Sequence, residues 1–256
     1  MLKWYYGIVV FNKFHYLCTQ KSNKTITTFY MENKIILFSN VKGGVGKSTL
    51  CSLFATYCAE KGIPTAVVDA DLQQSLVRQR QREKEQAGGE VQEPWQLISL
   101  DTSDVKGVEN MMENLKTIPG WILVDCPGNL NDNGLLPVFK AADAVVVPIS
   151  YEDIVIDATS VFIQVFRKIS DATLCFLPNR INEAEGTKAE REQRLETIKI
   201  LGKLGMVAPR IKQGVAIKRF STLYALDTYQ ERTVEYPFEQ IINKLNNGII
   251  VNTITP

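Results

Sequence analysis

From residue 34 onward the chain alternates between short apolar runs and longer amphipathic stretches. Residues 34–39 (KIILFS), 65–69 (TAVVD), 95–100 (WQLISL), 121–125 (WILVD), 144–149 (AVVVPI), 173–177 (TLCFL) and 207–211 (VAPRI) are too short for stable helices. Most are apolar nearly end to end, as strands covered on both faces are. After the first run, Leu50, Leu53, Phe54, Tyr57 and Cys58 recur on one helical face, and Gly62 with Pro64 stops that helix. Further helices are expected over 76–86, closed by Gly88 and Gly89, and over 105–115, 157–169, 187–204 and 238–245. This alternation predicts an α/β fold, a single doubly wound, mostly parallel sheet of about seven strands flanked by helices.

Residues 1–30 do not fit that rhythm. They are rich in aromatics, and their apolar run, Gly7 to Phe11, is too short for a secretory leader. Met31 opens a natural start for a chain whose first strand follows at once. Two readings stand side by side: an upstream mis-start with translation beginning at Met31, or an edge hairpin or partner-binding arm. The domain proper is then 31–256, a length that commonly forms one unit in α/β chains.

Bulk composition narrows the function classes. The chain has 45% hydrophobic and 22% charged residues, ordinary for a globular protein. Its 29 basic and 28 acidic residues leave a net charge of +1, so any nucleic-acid surface has to be a local patch. The five cysteines, Cys18, Cys51, Cys58, Cys126 and Cys175, lack C-x-x-C spacing and read as reduced, mostly buried thiols of a cytoplasmic protein. No apolar stretch reaches the roughly 18 residues a membrane span needs. The only histidine, His15, lies in the leading segment, which excludes a histidine-based site in the core.

The chemistry concentrates in Val41-Lys42-Gly43-Gly44-Val45-Gly46-Lys47-Ser48-Thr49, between the first strand and the first helix. A glycine-rich turn lets backbone N–H groups of Gly43, Gly44, Val45 and Gly46 point at phosphate oxygens. The helix that starts there adds unpaired N–H groups and the positive end of its dipole. Lys47 supplies a full charge to β/γ-phosphates, and the Ser48 hydroxyl, followed by Thr49, is placed to ligate Mg²⁺. Against the usual G-x-x-x-x-G-K-[ST], Val41 replaces the first glycine and Lys42 is an additional lysine. Asp69 and Asp71 follow the second strand, and two carboxylates so spaced can hold Mg²⁺-bound water and an attacking water. Asp125 ends the 121–125 run as the acidic strand expected opposite such a loop, holding Mg²⁺ through water.

The sequence KGGVGKST resembles the deviant phosphate-binding loop of the ParA/MinD family, P-loop NTPase in type and closest here to ParA-type partitioning ATPases. The resemblance covers roughly residues 34–225. It implies ATP and Mg²⁺ as cofactors, an ATP-sandwich homodimer with Lys42 crossing to the partner's phosphates, and Lys47 and Asp71 as catalytic residues. By the same resemblance Asp71 orients the hydrolytic water while Asp69 lies nearer the metal with Ser48 and Asp125. The family's D-x-D-P-Q element carries Leu72 where its proline stands, and its usual second proline after Asp125 is Gly128 here. In relatives an asparagine packs on the base, which suggests Asn179; the alternative is a plain turn residue. Pro209 is suggested for the purine pocket on the same ground.

The resemblance further implies non-specific DNA binding for plasmid, chromosome or mobile-element partition, a nucleoid-associated location and a stimulating ParB-like partner. Lys203, Arg210, Lys212, Lys218 and Arg219 could supply the DNA patch, or be scattered solvated cations. The alternatives are a MinD-like positioning ATPase, for which 246–256 is a poor membrane helix, an iron–sulfur donor, for which Cys126 alone is insufficient, and a nucleotide-binding adaptor without turnover.

Overall fold

A computed structural model describes residues 10–11, 15–16, 26–29, 32–129, 132–182, 186–246 and 251–254. In chain order the elements are β1 (Val10–Phe11), β2 (His15–Tyr16), β3 (Ile26–Phe29), β4 (Lys34–Phe38), α1 (Lys47–Glu60), β5 (Thr65–Asp69), α2 (Ser75–Ala87), β6 (Gln96–Ser99), α3 (Val105–Leu115) and β7 (Trp121–Asp125). They continue with α4 (Leu135–Ala141), β8 (Ala144–Ile149), α5 (Asp153–Phe166), β9 (Thr173–Pro178), α6 (Lys188–Leu204), β10 (Met206–Val207), α7 (Val215–Lys218), α8 (Thr228–Leu245) and β11 (Val251–Ile254).

One seven-stranded sheet, ordered β10-β9-β8-β4-β7-β5-β6 and parallel throughout, organises the molecule. From β4 the chain steps outward to β5 and β6, returns to insert β7, then proceeds the other way through β8, β9 and β10. Right-handed crossovers in both directions put helices on both faces and create a ligand-binding edge at the strands' C-terminal ends.

The two-residue alternation of a strand divides the core. Ile35, Leu37, Val68, Val124 and Val145 face α3, α4 and α5, meeting Val108, Met112, Val138, Phe162 and Phe166. Ile36, Phe38, Val67 and Leu123 face α1 and α8, meeting Leu53, Phe54, Val234, Phe238 and Ile241. Phe54 lies edge-on to Phe238 at 5.0 Å and stacks on Trp121 at 6.0 Å. α1 is enclosed on more than the one face its apolar spacing marks: every residue from Leu50 to Cys58 is buried, because α2 and α8 cover what the sheet leaves.

Several boundaries depart from the periodicity, each for a local reason. α8 starts at Thr228, ten residues before the expected 238, because Asp227 accepts from the N–H groups of Tyr229 and Gln230 while the Gln230 side chain returns to Asp227. This capping box outweighs Pro237 inside the helix. The 207–211 strand shortens to Met206–Val207; Pro209 beyond it has no N–H for a ladder. α5 begins four residues earlier than expected, and the short α4 and α7 were not anticipated. β3 and β11 pair antiparallel, as do β1 and β2. Most of residues 1–30, on which the mis-start and arm readings rest, lies outside the described residues.

α2, read as a solvated charged helix, carries one buried cation. Arg80 is 4% exposed, stacks 4.1 Å over Trp95, donates to Thr222 Oγ1 at 2.9 Å and pairs with Glu93. Thr222 in turn donates to Glu83, and the Trp95 indole N–H donates to Thr56 of α1 at 3.0 Å. Polar groups this enclosed are costly to leave unpaired. Arg80→Ala is expected to destabilise the fold by about 2–4 kcal/mol, measured as a lower urea midpoint at unchanged slope.

Candidate functional site

β4, β7 and β5 lie side by side in register, so Phe38, Asp125 and Asp69 stand level at the sheet's C-terminal edge, on the face that carries α1. Between β4 and α1 the chain makes the glycine turn. Gly44 (φ 79°) and Gly46 (φ 98°) occupy the left-handed region, which side chains other than glycine disfavour. A Cβ on Gly43 or Gly44 would meet nothing within 4 Å, so this rim is open to an incoming ligand. A Cβ on Gly46 would come within 2.5 Å of Asn179 Nδ2, so that position has to be glycine for closeness as well as for φ.

Lys47 starts α1, is largely buried, and its ammonium donates to the Lys42 carbonyl at 3.3 Å. Burial lowers its pKa, while Asp125 chiefly opposes that. Gly128 lies beside this lysine: a Cβ there would stand 3.4 Å from both Lys47 Nζ and the Val41 carbonyl.

Asp125 is fully buried, and neither of its oxygens has a hydrogen-bond partner. Burial pushes its carboxyl up to about 7; the adjacent Ser48 hydroxyl acts against that, and Asp69 adds to it. A sealed carboxylate with two idle oxygens beside a hydroxyl is a donor set that fits Mg²⁺, a hard cation. Among the described residues no three His, Cys, Asp or Glu side chains converge as a protein-only cage.

Asp69 is engaged differently. Its Oδ2 accepts from Leu76 and Val77 N–H groups at 3.0 and 3.2 Å, and its Oδ1 from Asp71 N–H at 3.3 Å. It therefore anchors the first turn of α2 and the residues that carry Asp71. Burial raises its pKa, and those backbone donors work against the rise. Asp71 is half-buried, its Oδ1 accepting from Gln73 N–H at 2.9 Å, and Leu72, in the proline's place, is exposed.

Asn179 is buried after β9 and donates to the Val45 carbonyl at 2.9 Å, leaving its Oδ1 without a partner. Pro209 runs alongside: the Ile211 N–H donates to the Pro178 carbonyl at 2.7 Å. Lys203, Arg210, Lys212, Lys218 and Arg219 are all exposed. Cys126 is buried with its thiol pKa pushed up, and Cys51, Cys58 and Cys175 are likewise buried and free.

Two residues that sequence reasoning missed lie in this region. Asn40, immediately before the loop, is buried and hydrogen-bonded to it; an amide between an apolar strand and a glycine turn was the available signal. Thr102 donates to Asp132, and a Cβ on Gly134 would collide with the Thr102 carbonyl, so the β6 loop is pressed against the segment after Asp125.

A family model described as the CobQ/CobB/MinD/ParA nucleotide binding domain matches residues 36–214, a span that includes the glycine turn, Asp69, Asp71, Asp125, Asn179 and Pro209 but not Lys218 and Arg219. No curated protein matches the chain. Among solved structures, a putative plasmid partition protein of Borrelia burgdorferi bound to AMPPNP is 18% identical with a TM-score of 0.66, over 83% of this chain and 99% of that one. An ATP complex of a McdA variant from Cyanothece is 14% identical with a TM-score of 0.64, over 87% and 100%. The MinD cell division protein of Aquifex aeolicus is 18% identical with a TM-score of 0.62, over 86% and 99%. At such identities the likeness is one of fold.

A carboxyl whose folded pKa lies above its unfolded value favours the fold fully only below the unfolded value, and loses that advantage as pH rises through the folded one. For Asp125 the window runs from 3.8 to about 7. Asp125→Asn is therefore expected to raise the melting temperature of ligand-free protein more at pH 8 than at pH 5, the full effect being of order 4 kcal/mol. Equal gains at both pH values, read by calorimetry, would contradict a strained ionised Asp125.

Proposed function

The chain belongs to the CobQ/CobB/MinD/ParA nucleotide-binding family, and from that premise we propose that it is a Mg²⁺-dependent ATPase of ParA type. Its ATP form is a nucleotide-sandwich dimer that binds DNA non-specifically, and hydrolysis ends that state. The observation that carries the reading is the meeting of Lys47, Ser48 and an unpartnered Asp125 under an open glycine turn.

The backbone N–H groups of the 43–49 turn receive the phosphates, and Lys47 leaves the Lys42 carbonyl to pair with the β/γ oxygens. Ser48 would hold Mg²⁺ directly and Asp125 through water, with Asp69 beside them, to neutralise charge on the phosphates. Asp71, kept near the metal edge by Asp69, has one oxygen engaged by Gln73 and the other available to orient the attacking water. The water oxygen bonds to the γ-phosphorus as the bond to the ADP oxygen breaks, giving ADP and phosphate. Positioning and charge neutralisation dominate such transfers. On this reading intrinsic turnover is slow and a ParB-like protein accelerates it.

Asn179, with a buried carbonyl oxygen still to be satisfied, and Pro209 line the base side. An acceptor there suits the adenine amino group, and the AMPPNP and ATP complexes among the fold neighbours support an adenine nucleotide. The exposed Lys203, Arg210, Lys212, Lys218 and Arg219 supply the cations for DNA phosphates. No described helix is long and apolar enough to cross a membrane, and Val251–Ile254 forms a strand against Ile26–Phe29. The strand pairing does not favour a MinD-like membrane-surface helix at 251–254.

Asp71→Ala protein with ATP and Mg²⁺ is expected to elute at twice the mass seen with ADP, by size exclusion with light scattering. Lys42→Ala is expected to remain at the lower mass, and phosphate release by either variant to fall at least about tenfold. Calorimetry that finds no heat from Mg²⁺ with any purine nucleotide would overturn the reading.

A further inference from the structure

β4 and β8 pair as far as Phe38 and Val146, and the Ser39 N–H still reaches the Val146 carbonyl at 3.1 Å. Past that point β4 turns into the loop while β8 continues to Ile149. Asn40 bridges the parting strands. Its Nδ2 donates to the Pro148 carbonyl and to Thr159 Oγ1 of α5, each at 2.9 Å, and its Oδ1 accepts from the Lys42 N–H at 3.3 Å. Asn40 is fully buried and Thr159 is 1% exposed.

The orientation of this amide follows from its partners. The Thr159 hydroxyl gives its own proton to the Val155 carbonyl at 2.7 Å, so it can only accept from Asn40. The Pro148 carbonyl can only accept as well. The NH₂ end must face these two, which leaves the oxygen for the loop. No other side chain of this size offers two donors and an acceptor; an aspartate would set a carboxylate against a carbonyl.

The loop is thus fastened at two separate places. Asn179 holds Val45 from the β9 side, next to the residues that wrap the phosphates. Asn40 holds Lys42 from the β8 and α5 side. We propose that Asn40 is a positioning residue for Lys42: it sets the backbone from which that side chain reaches the partner's phosphates, while leaving the Gly43–Ser48 turn to its own supports. The proposal rests on the reading of Lys42 given above. It separates two properties that a general loop scaffold would lose together. Binding of a diphosphate depends on the turn and on Lys47, which leaves the Lys42 carbonyl when phosphates enter, whereas pairing of subunits, and the turnover that follows it, requires Lys42 as well.

The test compares Asn40→Ala with wild type. Mg²⁺–ADP affinity by calorimetry is expected to stay within about threefold, and kcat for ATP to fall about tenfold with KM little changed. In the Asp71→Ala background the ATP-dependent doubling of mass is expected to be lost. In a Lys42→Ala background, Asn40→Ala is expected to cause no further loss, since both changes remove one function. Loss of ADP affinity in step with turnover, or full additivity with Lys42→Ala, would overturn the proposal. Should Asn40→Ala fail to fold by circular dichroism, Thr159→Val decides, because it keeps Asn40 and removes its tie to α5 together with a bond internal to that helix, from Thr159 to the Val155 carbonyl. A drop in turnover of about threefold at unchanged ADP affinity would then support the proposal, and unchanged turnover would overturn it. Wild-type and Lys42→Ala proteins that match in mass and turnover would instead remove the function assigned to Lys42, and this proposal with it.

Discussion

A carboxylate sealed at the end of a central strand with nothing to bind is the constraint around which this molecule is arranged. Asp125 sits between β4 and β5, out of water, and its oxygens make no well-formed hydrogen bond, the Ser48 hydroxyl being the donor that stands beside them. Burial of an ionised group without a partner is among the least favourable things a fold can contain. The surrounding structure tolerates it because the cost is local, while the hydrophobic contacts on both faces of the sheet are extensive. Lys47 and Ser48 stand close enough to moderate the field without closing the site. That is the arrangement expected of a group kept in reserve for a cation that arrives with a ligand.

Topology places everything else relative to that point. Because β4 is the first strand of the sheet and lies at its middle, the loop that follows it meets the ends of β5, β7, β8 and β9. Asp69 and Asp125 become neighbours although they lie far apart in sequence. The Asp69 carboxylate then organises the start of α2, and through α2 the Arg80–Thr222 contact reaches the segment that bears Lys218 and Arg219. The acidic edge is thus connected through α2 to the segment that follows α7.

Much of this was legible in the sequence, and what was not has identifiable causes. Buried parallel strands are continuous apolar runs, so 121–125 and 144–149 were read with their observed bounds. The glycine turn was legible because GKS has few other uses between a strand and a helix. α8 was cut short because Pro237 masked a helix whose true signal was the Asp227–Gln230 cap. Arg80 looked like one more solvated charge; its burial depends on Trp95 and Thr222, which lie 15 and 142 residues away, and no periodicity in α2 reveals them. The doubly engaged Asp69 and the bridging Asn40 are hydrogen-bond facts. Residue type alone shows that such groups can bond, and only the fold shows to what.

α1 has consequences for how the molecule moves. A helix walled in by the sheet, by α2 and by α8 has no free side on which to rock, so the turn at its head is bolted to the core. On the opposite side Gly128 lies beside Lys47, and Asp132 and Gly134 rest on Thr102. The glycine turn is therefore the anchored side of the site, its position set by the core through the whole length of α1.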